Sequence, residues 1–279
     1  MAPTGDGMNT VIEVASLRKT FGTRDGTTRA VLKDLDLTVG AGEFLCILGS
    51  SGCGKSTLLN VLAGLDKAYE GRASVSGGRV GYLFQEPRLL PWLTAEGNLD
   101  FALASCRVPT SRWSELKSCY LAMTGLSAYR DYYPHQISGG MAQRLALVRA
   151  LCVEPGILLM DEPFSGLDEI TAHRIRSDLL AIWEETRKTI VFVTHSAYEA
   201  CFLADRILVM SGGAFRQEMR VPVARPRSYD DPAIFEFSRD VIRALGDEIN
   251  RDPTLPVEPV SEPSLVEDLN RAAVARMNI

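Results

Sequence analysis

The run "GSSGCGKST", Gly49 to Thr57, fits the spacing G-x-x-x-x-G-K-S/T. It follows an apolar run, "EFLCIL", and precedes a leucine-bearing stretch with helical spacing. A loop of this composition between a strand and a helix is suited to cradling phosphates. Gly49, Ser50, Ser51, Gly52, Cys53 and Gly54 let the backbone wrap an anion, with N–H groups converging at a helix start. Lys55 would reach the β- and γ-phosphates of a nucleotide, and Ser56, with Thr57 beside it, would offer a hydroxyl to Mg²⁺. A second run, "GILLMDEP", ends an apolar strand on Asp161 and Glu162. Carboxylates leaving a buried strand toward a phosphate site suit metal binding and water activation. Asp161 takes the first task and Glu162 the second. Cys53 reads as a tolerated small residue or as a redox-sensitive thiol. If it is exposed, bulky alkylation there should abolish nucleotide binding.

The elements that must carry these residues follow from periodicity. Val11 to Val39 reads as two or three short strands with turns at Gly22 and around Asp25-Gly26. Glu43 to Leu48 is an apolar run bounded by glycines, which suits a strand buried on both faces. A helix from Lys55 carries Leu58, Leu59 and Leu62 on one side and stops near Gly64. Gly71 to Gln85 reads as two short strands broken at "SGG", and Leu99 to Tyr133 as mostly helical. Apolar strands at "GILLMDE", "TIVFVTH" and "RILVMS" alternate with helices, which predicts a parallel sheet in an α/β core. After Gly213 the pattern weakens, with one helix over 234–245 and a Pro- and Glu-rich tail over 246–279.

Composition bounds the function. The 279 residues carry a net charge of −5, which excludes a nucleic-acid binder relying on bulk positive charge. The hydrophobic share is 46% and the charged share 23%, which suits a chain with a substantial core. No apolar run approaches the roughly 18 residues of a spanning helix. Residues 1–10 lack a basic start and an apolar centre, so they read as a disordered lead and not a secretory signal. The six cysteines are scattered without metal-ligand spacing, which predicts reduced thiols.

With these motifs in place, the chain resembles the ATP-binding subunit of ABC transporters over about Val11 to Leu245. "ISGGM", Ile137 to Met141, is similar to that family's signature turn, with Ile for Leu and Met for Gln. The resemblance implies an α/β fold: a P-loop NTPase (RecA-like) core, a small antiparallel β subdomain and an α-helical signature subdomain at about 88–145. It implies that Ser138, Gly139 and Gly140 cap the ATP held by a second copy of the chain, so that hydrolysis needs a dimer. Gln85 looks like the glutamine that senses Mg²⁺ and the attacking water. "SGLD", Ser165 to Asp168, looks like the loop crossing the dimer interface, and His195 like the histidine contacting the γ-phosphate. Phe21 occupies the place of an adenine-stacking aromatic, with an ordinary core aromatic as the alternative. His135 and His173 have no such support and read as loop and helix-surface residues.

"EPRLLPWLTAEGNL", Glu86 to Leu99, resembles the segment lining the groove for a coupling helix in importers of the nitrate, sulfonate, taurine and bicarbonate group. "VTHSAYEA" has Ser196 where Asp is more usual, a variant associated with importers of pyrimidine precursors. The resemblance implies integral membrane permease subunits as separate chains. It also implies an extracytoplasmic solute-binding protein acting indirectly, and a peripheral location on the cytoplasmic face of the bacterial inner membrane. The alternatives are an exporter or lipid-trafficking cassette and a soluble non-transport ABC ATPase. The segment after Gly213 is too short for a large regulatory β-domain, and the Pro-rich tail reads as a solvated extension.

Overall fold

The computed structural model describes residues 9–22 and 26–251. The expected lead, apart from its last two positions, Asp25 of the expected turn, and the tail from residue 252 onward lie outside the described residues. In place of two or three short strands, the first stretch forms two long antiparallel partners, β1 (Thr10–Gly22) and β2 (Thr28–Gly40), of 13 residues each. Register shifts on either side of Leu17 accompany positive φ at Ser16 and Asp34, so the pair is bulged. Then come β3 (Phe44–Leu48), α1 (Lys55–Leu62), β4 (Glu70–Val75) and β5 (Val80–Leu83). A helical stretch holds α2 (Ala95–Ser105), α3 (Trp113–Met123) and α4 (Gly139–Cys152). The chain continues through β6 (Ile157–Asp161), α5 (Glu169–Thr186), β7 (Thr189–Thr194) and α6 (Ala197–Leu203). It closes with β8 (Arg206–Ser211), β9 (Ala214–Arg220) and α7 (Pro232–Arg251).

Two sheets result. One is antiparallel in the order β2-β1-β4; the other runs β5-β6-β7-β3-β8-β9. All neighbours in the larger sheet are parallel except β8 and β9, which pair antiparallel. The two short strands expected around "SGG" therefore exist, but they belong to different sheets. The weak pattern after Gly213 conceals a strand: β9 is a largely exposed edge with little alternation to read. The final helix also runs past the expected end at residue 245.

Side-chain alternation along the central strands divides the interior in two. Phe44, Cys46, Leu48, Leu158, Met160, Ile190 and Phe192 enter one core, together with the helical stretch. Leu45, Ile47, Ile157, Leu159, Val191 and Val193 enter the other, with α1 and the antiparallel sheet. Each strand is thus apolar on both sides, which is why these runs are continuous. Fully burying one such large side chain contributes about 1.5–3 kcal/mol. The rigid sheet brings the carboxyl ends of β3, β6 and β7 together, where ligands bind in open α/β sheets.

Candidate active site at the ends of three strands

The loop from Gly49 leaves β3 against its neighbours. Gly49 N donates to Thr194 O at 3.3 Å, and a Cβ on Gly49 would lie 2.3 Å from Met210 O. Only glycine fits there. Gly54 has φ of 111°, which positions Lys55 to start α1. The Lys55 ammonium is buried and donates to Gly49 O at 2.7 Å and Ser50 O at 2.9 Å. It also lies 3.6 Å from Glu162 Oε1. Ser50 Oγ is buried without a hydrogen-bond partner, the kind of orphan that a phosphate oxygen satisfies. Ser51, Gly52 and Ser56 are exposed, and Thr57 is half-buried. Cys53 is 4% exposed and packs into the core with α1, and burial raises its thiol pKa. The condition for its alkylation, exposure, is not met.

The hairpin of β1 and β2 closes over this loop. A Cβ on Gly54 would meet Leu32 Cδ2 and Val31 O at 2.9 Å. Lys19 pairs with Leu32, and Phe21 with Arg29, so Phe21 sits on the same hairpin end. Its ring is 44% exposed, which removes the core-aromatic alternative. The Lys19 ammonium lies 4.7 Å from the ring centroid and is itself held by Asp66 at 2.8 Å.

The end of β6 supplies the carboxylates. Ser56 Oγ donates to Asp161 Oδ1 at 2.9 Å, and burial raises the Asp161 pKa. A hydroxyl and a part-buried carboxylate converging this closely are hard oxygen donors suited to Mg²⁺. Among the described residues no cluster of three or more His, Cys, Asp or Glu could hold a metal alone. Phosphate oxygens would have to complete such a site. Glu162 adopts a left-handed backbone, with φ of 42°. Non-glycine residues held this way cluster at functional sites. Its Oε2 is 3.2 Å from His195 Nδ1, beyond the end of β7. Gln85 is exposed, and its amide reaches Ser165 Oγ at 3.5 Å.

The signature turn stands apart from this cluster. Ser138 caps α4, accepting from Met141 N at 3.3 Å, and Asp168 caps α5, accepting from Thr171 N at 3.0 Å. A Cβ on Gly140 would meet Thr171 Cγ2 at 2.4 Å, so the two loops are neighbours. Ser138, Gly139 and Asp168 are exposed. Among the described residues no hydrogen bond joins Ser138, Gly139, Gly140 or Asp168 to the Gly49–Thr57 loop.

Several residues have supporting roles that the sequence did not assign. Gln143 is 3% exposed and donates to Pro163 O at 2.7 Å, tying the signature helix to the loop after Glu162. Arg149 donates to Arg88 O at 2.6 Å and Pro87 O at 2.8 Å. Asn98, fully buried, holds Leu90 N at 2.7 Å and Leu93 O at 3.2 Å. These bonds fix the Pro87–Leu93 segment while leaving Trp92 69% exposed. A polar residue three to four positions from an apolar helical stripe was the available signal for Gln143 and Asn98. His135 is exposed as expected, but His173 is half-buried, with its ring 4.4 Å from Tyr229. Ser196 caps α6, accepting from Glu199 N at 3.3 Å.

Comparison with known proteins agrees with this geometry. A family model described as ABC transporter matches residues 32–165. An aliphatic sulfonates import ATP-binding protein of Xanthomonas axonopodis is 41% identical, over 78% of this chain and 91% of its own. A nitrate import ATP-binding protein of Synechococcus elongatus is 39% identical, over 81% of this chain and 88% of its own. Among solved structures, a dimeric ATP-binding cassette in a post-hydrolysis state with ADP and phosphate superposes with a TM-score of 0.69. It is 30% identical and covers 76% of this chain and 100% of its own. Among the described residues no helix is long and apolar enough to cross a membrane.

Proposed function

The chain belongs to the ABC transporter ATP-binding family and is an ATPase, and from that premise we propose that it energises uptake of a small solute through separate permease subunits. The solute class is that of nitrate, sulfonate or taurine, bicarbonate or pyrimidine precursors, in keeping with the names of the relatives. The observation that carries the importer reading is the exposed Trp92. Arg149 and Asn98 hold the backbone around an indole that makes no use of the chain's own core. An organised segment with an exposed apolar anchor suits a short helix of a membrane partner. On this reading the chain sits peripherally on the cytoplasmic face of a bacterial inner membrane.

Hydrolysis is a matter of placement and charge. The loop N–H groups and Lys55 hold the β- and γ-phosphates, while Ser50 Oγ gains a partner. Ser56 and Asp161, with Gln85, would hold Mg²⁺, which would neutralise phosphate charge. Glu162 takes the proton from a water as its oxygen attacks the γ-phosphorus, and the bond to ADP breaks. His195 contacts the γ-phosphate from the side of Glu162. Phe21 stacks on adenine. Ser138 and the Gly139 and Gly140 N–H groups complete the site of a second copy, with Asp168 at the interface. Their separation from the Gly49–Thr57 loop and the dimeric state of the related cassette support this. Two copies closing on two ATP molecules would draw the bound permease helices together.

The test is to purify the chain from its native membranes in mild detergent and identify its companions. A multi-spanning permease and a solute-binding protein are expected. Recovery with ribosomes, with DNA-repair proteins or alone overturns the transport reading and leaves the ATPase intact.

A further inference from the structure

Two charged side chains lie buried beside the site without a part in the chemistry above. Arg176 on α5 is 3% exposed and Glu199 on α6 is 9% exposed. Arg176 Nη1 donates to Glu199 Oε1 at 3.0 Å, and its Nη2 pairs with Glu169. Its guanidinium carbon is 5.8 Å from the Phe164 ring centroid, two residues past Glu162. The other oxygen of Glu199 accepts from Thr194 Oγ1 at 2.6 Å. Thr194 Oγ1 in turn accepts from Ser196 N at 3.1 Å, and Ser196 Oγ accepts from Glu199 N at 3.3 Å. Both neighbours of His195 are therefore held by one carboxylate and its own backbone.

Burial of such a pair is a weak source of stability, because apolar residues of similar volume often serve as well. What the pair supplies is a fixed geometry. The His195 side chain is 57% exposed, so core packing does not fix it. The turn beneath it must. Burial opposes the charge on Glu199, while Thr194 and Arg176 favour it, so the carboxylate depends on the partners it orders. At the other end, Glu169 is 64% exposed and follows Asp168 directly. It also accepts from Tyr229 OH at 2.8 Å.

We propose that Glu199 and Arg176 are positioning residues for ATP hydrolysis, fixing the turn that carries His195 and tying it to the loop that ends at Asp168. This rests on reading His195 as the γ-phosphate contact. A shift at the start of α5 would reach His195 through two buried side chains and one hydroxyl.

The test is steady-state ATPase kinetics of the full-length chain. Glu199→Ala should lower kcat roughly 10- to 100-fold, the loss expected for a misplaced group, with KM for ATP held within about twofold. Glu199→Gln keeps an oxygen for the Thr194 hydroxyl but gives up the acceptor for Arg176, and should recover part of the rate. In a His195→Ala background, Glu199→Ala should give no further loss, since the two changes act through one group. A Glu199→Ala kcat within about twofold of wild type overturns the proposal, as does the same fold loss with and without His195. If Glu199→Ala does not fold, Thr194→Val decides: it leaves the Arg176–Glu199 pair in place and should show the same fall in kcat. Wild-type turnover by His195→Ala alone would instead remove the reading of His195, which the Glu199 variants do not affect.

Discussion

Glu162 Oε2 lies 3.2 Å from His195 Nδ1, and the two residues leave the ends of neighbouring parallel strands. The register makes the meeting possible: Asp161 pairs with Val193, and Glu162 N donates to Val193 O at 3.0 Å. Glu162 then turns through φ of 42°, which brings its other oxygen 3.6 Å from Lys55 Nζ. A strained residue held by a sheet bond gives a carboxylate aimed at the phosphate loop before any nucleotide arrives. Preorganisation of this kind is what lowers a barrier made of placement and charge.

Replacing that carboxylate by an amide keeps its shape and removes its basicity. Glu162→Gln should bind ATP and lose about 10²- to 10⁴-fold in turnover, the usual contribution of a general base. With hydrolysis blocked, the variant should accumulate as an ATP-bound dimer. Turnover assays and size-exclusion chromatography with ATP check both. Near-normal turnover would remove Glu162 from the base's role.

Asp161 gives a pH prediction. Burial raises its pKa, so the folded chain favours the protonated carboxyl. The stability from this preference is present below the unfolded value near 3.8 and is lost as pH rises through the folded value. At neutral pH the nucleotide-free chain therefore carries an unfavourable charge. Asp161→Asn should raise the urea midpoint at pH 7 while lowering ATPase activity about 10²-fold or more. The stability difference should shrink as pH falls toward the carboxyl range. An Asn variant less stable than wild type at pH 7 would contradict this account.

The phosphate loop and the Asp161-Glu162 pair were legible because their spacing is local and the elements around them are strongly periodic, whereas His195 was singled out by resemblance. Phe21 was placed by resemblance, and only the structure shows its ring exposed on the hairpin over the loop. What stayed hidden depends on contacts distant in sequence. Nothing near "GRASV" or "VGYL" says that one joins the antiparallel sheet and the other the parallel sheet. Nothing local in the sequence pairs Arg176 with Glu199, which lie 23 positions apart in the chain and meet only when α5 and α6 come together. The edge strand β9, "AFRQEMR", was missed because one exposed face and a solvent-facing edge leave little apolar pattern.

Cys53 tests whether the loop packs as described. Its thiol is buried and its pKa is raised above 9, chiefly by burial, whereas Cys119 is exposed. Only the thiolate reacts readily. A maleimide at pH 7 should label Cys119 and spare Cys53, leaving ATPase activity intact. Peptide mass spectrometry reads each site separately. Labelling of Cys53 as fast as Cys119 would show the loop open in solution.

Gln143 offers a separable structural test, because its amide touches neither nucleotide nor metal in the arrangement proposed. It is buried in the second turn of α4 and donates to Pro163 O at 2.7 Å, one residue beyond Glu162. Gln143→Leu keeps the bulk and leaves that carbonyl without its donor. An unsatisfied buried group costs about 1–3 kcal/mol, which urea unfolding would register as a lower midpoint at unchanged slope. The loop after Glu162 would also lose its tie to the signature helix, so kcat should fall while the affinity for ATP is retained. The Gly49–Thr57 loop is untouched by the change. If stability falls and kcat does not, the bond is structural only, and the signature helix reaches Glu162 by another route. If both hold at wild-type values, Pro163 O has found water, and the link between α4 and the carboxylate is weaker than its distance implies.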